Sequence, residues 1–136
     1  FDEGLTACEN WELWIRFAIH TEFSALEDKL VYYRRHDANM SLNFEKTRDN
    51  RLKVIRKNAT QLKGWVQNLE QKIRLAQFQA HAFFGENYVW HLRMREARIE
   101  LLEALSLNPF SLKCYKLFLK TLLGKNLVAY LRKRAA

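Results

Sequence analysis

The chain has 136 residues, 49% of them apolar and 13% aromatic, enough for one core, or one core with a small appendage, and too much for a disordered tail. Only four glycines and one proline punctuate it, which disfavours a turn-rich all-β fold and predicts a mainly α chain of long helices. The formal net charge is +8, but residues 1–30 hold seven acids against two bases, net −5, while the rest holds twenty-one bases against eight acids, net +13. A basic body of this kind attracts nucleic acid, anionic lipid or phosphorylated substrates, and charge alone does not choose among them. Cys8 and Cys114 stand far apart with no C-x-x-C spacing, so neither a zinc site nor a disulfide framework is indicated, and a reduced, cytoplasmic compartment is expected. No signal peptide is visible, and no apolar run approaches the roughly 20 residues of a membrane span. A targeting or membrane segment elsewhere in a parent protein stays open.

In chain order, Trp11, Trp14, Ile15 and Ala18 recur at i, i+3, i+4 and i+7, so a helix over about 10–20 is predicted to bury an aromatic stripe. Glu9, Glu12, Arg16 and His20 fall on its opposite face. Residues 30–33 are short, apolar and aromatic and predict a strand running into an Arg34-Arg35-His36 loop. Asn39 and Ser41 offer turn and cap chemistry after it. From Leu52 a heptad-spaced series continues through Ile55, Ala59, Leu62, Val66, Leu69, Ile73, Ala76, Ala80 and Phe83. Gly64 interrupts it at about 1 kcal/mol relative to Ala, which predicts two helices, about 44–62 and 66–85, although one continuous helix also fits the spacing. Val54, Trp65, Leu75 and Phe78 widen the stripe and point to intramolecular packing.

A helix over about 93–106 follows, with Met94, Ala97, Leu101 and Leu105 on one face. Asn108-Pro109 reads as N-cap and first helical residue of another helix ending near Gly124, and Asn126 as the cap of a last amphipathic stretch over 127–134. The run Glu96-Ala97, Leu101-Leu102, Ala104-Leu105, Asn108-Pro109 resembles half of a tetratricopeptide repeat. One unit is not an array, and an ordinary helical hairpin is predicted.

Two stretches carry the functional signal. Phe1-Asp2-Glu3 is followed by Glu9-Asn10 and then by Trp11-Glu12-Leu13-Trp14-Ile15-Arg16, and further on comes Tyr33-Arg34-Arg35-His36-Asp37-Ala38-Asn39-Met40-Ser41. Their order and separation resemble the C-terminal part of family 2 glycosyltransferases with the GT-A fold. The resemblance implies that residues 1–43 are the acceptor-side end of such a catalytic domain, with one or two short strands, and that 44–136 are a basic helical extension. It further implies a nucleotide-sugar donor, a saccharide or lipid-linked acceptor, transfer with inversion, and a divalent metal, Mn²⁺ or Mg²⁺. No Asp-x-Asp of the kind that holds this metal is present, so the main ligands and the donor-binding half are expected upstream, and this chain alone is expected to be inactive.

Inverting transfer needs a carboxylate beside the acceptor hydroxyl, because the oxygen loses its proton as it attacks the anomeric carbon. A helix N-terminus suits such a group, since its unpaired N–H groups and dipole favour the ionised form. In the resembled family the carboxylate pair is usually Glu-Asp, with the aspartate as base; here that position is Asn10, and an amide cannot accept the proton. Either Glu9 or Glu12 substitutes, or the copy is weakened or inactive, or Asn10 only positions the acceptor. The plain structural role is Asn10 as N-cap and Glu9 as a first-turn charge. Trp11 and Arg16 are substrate-binding candidates, although aromatics at helical spacing usually build core, and Glu12 with Arg16 at i, i+4 commonly forms a surface pair of about 0.3–0.5 kcal/mol. Arg34 and Arg35 are candidates for the diphosphate, at most one of them facing it if the segment is a strand. His36 is a candidate for contact with the metal or the leaving diphosphate; outside the resemblance it is a solvated histidine in a basic loop.

Two other classes compete. A non-catalytic helical interaction module over 44–136 accounts for Asn10 and the missing donor half. Nucleic-acid binding has the charge, but the Lys and Arg are dispersed, with no helix-turn-helix or aromatic platform, so nucleic acid is not an expected partner. An anionic membrane surface is a further candidate partner. Phe118, Leu119, Leu122, Leu123, Leu127 and Leu131 with Arg132-Lys133-Arg134 would make a basic amphipathic foot, although the same apolar residues are first expected to close the helical core.

Overall fold

The computed structural model describes residues 1–34 and 43–135, with side chains described as far as Ala129. Among the described residues six helices follow in chain order: α1 (Glu9–Phe17), α2 (Phe44–Gln61), α3 (Leu69–Trp90), α4 (Met94–Leu107), α5 (Leu112–Leu122) and α6 (Gly124–Ala135). The fold is mainly α, and no strand occurs among the described residues. The strand predicted over 30–33 is therefore not seen: this segment is irregular and exposed, Val31 at 84% and Tyr32 fully. A short apolar run becomes a strand only when a neighbouring strand takes up its backbone N–H and C=O groups. Arg35, His36, Asn39 and Ser41 lie outside the described residues.

The chain divides into two compact units, Phe1–Leu69 and Glu70–Ala136. The sequence-based division at 43 differs because α2 belongs with the opening motif. In the first unit, α2 is capped by Asn43, whose side-chain oxygen accepts the Lys46 N–H at 3.0 Å. Leu52, Val54 and Ile55 are buried along it, and they share the interior with Leu5 and Ala7 of the opening loop. After Gln61 the backbone turns through Gly64 at φ 90° and Asn68 at φ 53°. These left-handed residues separate α2 from α3, so the heptad series runs through two helices and not through one rod.

In the second unit, α3 and α4 form an antiparallel hairpin. Leu92 at φ 58° closes α3: its N–H donates to Val89 O and the Arg93 N–H to Tyr88 O, which satisfies two terminal carbonyls. Ala80, Phe84, Tyr88 and Val89 of α3 and Ala97, Leu101 and Ala104 of α4 are buried. Gly85 is required by close approach, since a Cβ there would lie 2.8 Å from Cγ and Cδ2 of Leu101. Beside it, His81 Nδ1 and Glu100 Oε2, both buried, are 2.8 Å apart.

Three expectations for the C-terminal helices are corrected. Asn126 caps nothing, since α6 starts at Gly124 and includes it. Asn108 does not cap α5; it is the C-cap of α4, its side-chain oxygen accepts the Phe110 N–H at 3.2 Å, and Pro109 lies in the turn. The cap of α5 is Ser111, whose hydroxyl accepts the Cys114 N–H at 3.4 Å. Nor do Leu119, Leu122, Leu123 and Leu127 close the core: all four are exposed, while Cys114 and Thr121 are the buried positions of α5.

Candidate functional site

The opening motif is assembled by α2. Three of its side chains, Asn50, Lys53 and Lys57, lie at i, i+3 and i+7 and so share one face, and each holds the loop that precedes α1. Asn50 Oδ1 accepts the Thr6 N–H at 3.0 Å, and its amide donates to Thr6 Oγ1 at 3.3 Å and to Lys46 O at 2.8 Å. Lys53 Nζ donates to Gly4 O at 2.7 Å. Lys57 Nζ donates to Asp2 Oδ2 at 2.7 Å and to Glu12 Oε1 at 2.8 Å. Asp2 closes its own turn with Oδ1 accepting the Gly4 N–H at 2.9 Å.

Glu12 is the pivot of this arrangement and has no exposed surface. Arg16 Nε donates to both of its oxygens, at 3.0 and 3.1 Å, from one turn further along α1. Burial pushes the carboxyl up, but the hydrogen bonds and charges of Lys57 and Arg16 together outweigh it and hold Glu12 below its ordinary value. The hydrogen bond from Lys57, then that from the Gly4 N–H, lowers Asp2 as well. Hydrogen bonds to Asp2 and Glu12 raise Lys57. The predicted surface pair between Glu12 and Arg16 thus exists, but its carboxylate faces the interior.

The predicted faces of α1 hold only in part: Trp11 and Ile15 are half-buried and His20 is exposed, as the spacing predicts. Glu12 is buried, whereas Trp14, at 58%, Phe17 and Ala18 are exposed. Trp11 is half-buried beneath Arg51, whose guanidinium carbon lies 5.4 Å from the ring centroid, an arrangement that attracts the cation to the ring face. Glu9 and Asn10 are the first two residues of α1. Asn10 is exposed and Glu9 half-buried, with Oε2 shielded from solvent and without a hydrogen-bond partner. Cys8 precedes them at φ 63° and gives the helix no side-chain cap; its thiol lies 3.8 Å from Thr47 O, and burial raises it. The first turn of α1 thus has no side-chain cap from Cys8 and carries Glu9 at its start.

No family model, curated protein or solved structure matches this chain.

Of the site residues expected from sequence, Glu9, Asn10, Trp11, Glu12 and Arg16 share α1, and Arg34 is exposed on the irregular segment. Arg35 and His36 lie outside the described residues. Among the described residues no group of three His, Cys, Asp or Glu side chains could hold a metal ion. The nearby acids do not fit one either, since Asp2 and Glu12 are already engaged by Lys57 and Arg16. No helix of the described residues is long and apolar enough to cross a membrane. Sequence reasoning missed Asp2, Asn50, Lys53 and Lys57 as organisers of the site. Their signal was the common face of three polar residues in a helix assigned to the extension.

Proposed function

We propose that residues 1–43, braced by α2, are the acceptor side of an inverting, nucleotide-sugar-dependent glycosyltransferase of the family 2, GT-A type, completed by a donor-binding half that this chain does not contain. The observation that carries this reading beyond the motifs is Glu9: a half-buried carboxylate on the first turn of α1, with one oxygen unpartnered. Glu12, sealed between two cations with its carboxyl held low, is poorly suited to take a proton, so the substitution for the missing aspartate falls to Glu9. In this mechanism Glu9 accepts the proton of the acceptor hydroxyl as that oxygen bonds to the anomeric carbon. The bond from that carbon to the diphosphate breaks, and the nucleoside diphosphate leaves. Asn10 positions the acceptor.

The apolar surface of the first unit supports the same reading. Trp14, Phe17, Phe23, Leu26, Leu30 and Tyr33 are all exposed, apolar surface that an upstream half of the domain would cover. Residues 30–33 have the composition of a strand awaiting a sheet, which the missing half of a GT-A domain would supply.

The test is transfer from a panel of nucleotide sugars with Mn²⁺ or Mg²⁺, measured on a complete protein that includes the upstream half. Glu9→Gln is expected to lower turnover by about 10²–10⁴-fold, the usual worth of a general base, and Asn10→Asp to raise it. A second reading, a non-catalytic interaction module, draws on the engagement of Glu12 and the amide at Asn10. Silence of the whole panel, with Glu9→Gln harmless to partner binding, would establish that reading in place of the first.

A further inference from the structure

We infer that α5 and the start of α6 form a docking surface for an anionic lipid membrane, independently of whether the first unit transfers sugar. With successive residues about 100° apart around a helix, α5 has two apolar faces. One, carrying Cys114 and Thr121 with the half-buried Leu117 and Phe118 beside them, is turned inward. The other, on the opposite side, carries Leu112, Tyr115, Leu119 and Leu122, all exposed, Leu119 at 60% and Leu122 at 57%. Leu123 and Leu127 extend this stripe past Gly124, where a φ of 78° redirects the chain into α6.

Charge names the occupant. Lys113, Lys116 and Lys120 form an arc directly beside the exposed stripe, and all three are exposed. Lys113 also donates to Glu86 of α3 at 2.6 Å, leaving Lys116 and Lys120 as the cations nearest the leucines. From residue 104 to the C-terminus the sequence has seven bases and no acid. A second copy laid on this face would bring lysines against lysines, with Glu86 already held by its own Lys113, which disfavours self-association. A membrane bearing anionic headgroups meets both demands at once: leucines enter the acyl boundary, Tyr115 sits at headgroup depth, and lysines reach the phosphates along their aliphatic stems. An acidic protein would satisfy the lysines alone unless it also offered an apolar groove.

Co-sedimentation of the 136-residue chain with phosphatidylcholine vesicles, with and without phosphatidylglycerol, tests this. Binding is expected only to the anionic vesicles and should weaken as salt rises. Lys116→Gln and Lys120→Gln should each lower the partition coefficient about fivefold, and Leu119→Ser with Leu122→Ser about tenfold or more. Because all four side chains are exposed, the helical circular dichroism of the variants should match that of the parent chain. Equal binding to neutral vesicles, or none to anionic ones, would overturn the inference. So would affinity for soluble polyglutamate equal to that for anionic vesicles and unmoved by the leucine substitutions, since this would assign the face to an acidic protein.

Discussion

At Glu12 a carboxylate without exposed surface is met by two cations, Arg16 from its own helix and Lys57 from α2. Removing either cation leaves a buried charge short of a partner, the expensive half of any buried pair. Lys57→Met is therefore expected to cost about 2–3 kcal/mol, read as a lowered urea midpoint by tryptophan fluorescence. The same group sets an acid limit. Glu12 and Asp2 are held below their ordinary values of 4.5 and 3.8, so the folded chain binds these protons less readily than the unfolded one. Their stabilisation is complete above those values and is lost as pH falls through the lower, folded ones. Thermal stability should thus be level from neutral pH to about 5 and drop below about 4, and the drop should shrink in the Lys57→Met variant. Little of this was legible in the sequence. Glu12 and Arg16 at i, i+4 looked like a surface pair, and nothing local announced a third partner at Lys57.

Among the elements, the α3–α4 hairpin depends on the absence of a side chain at one position. Gly85→Ala would gain about 1 kcal/mol of helix propensity, but its methyl would meet Leu101, which has no exposed surface to move into. Overpacking of this kind costs about 1–3 kcal/mol, so the net effect is expected to be destabilising, measured by chemical denaturation. At the helix starts, Asn43→Ala should cost about 1 kcal/mol through the lost acceptor for the Lys46 N–H. The existence of α1 and the spans of α2 and α4 were legible because their apolar residues keep a helical period, although α1 ends at Phe17 and not near 20. The start of α5 was not: Asn108 and Ser111 are equally good caps by composition, and the choice follows from Asn108 turning its side chain to the Phe110 N–H. The buried face of α1 was misread for a related reason. Periodicity locates a stripe, but it does not reveal whether this unit or some other surface covers it.

For the whole molecule, the two ends of the chain use opposite charge differently. Asp2 and Glu12 of the opening residues are both met by Lys57 of α2, whereas the last residues have no acids of their own. Exposed apolar side chains occur in both units. In the 136-residue chain the irregular segment with Phe23, Leu26 and Tyr32 in the open is expected to be the first cut by chymotrypsin, mapped by mass spectrometry of the fragments. An upstream half of the kind proposed above, covering this segment, would slow the cleavage. The clamp of Asn50, Lys53 and Lys57 on the opening loop also bears on how such a protein can be cut and rejoined. A crossover placed where the motif ends, at 43, would part the loop from the helix that shapes it, and a foreign helix would seldom supply the same three polar groups. The seam that keeps them together lies after Leu69, which makes residues 1–69 the block to exchange in chimeras, with α3–α6 as the replaceable partner.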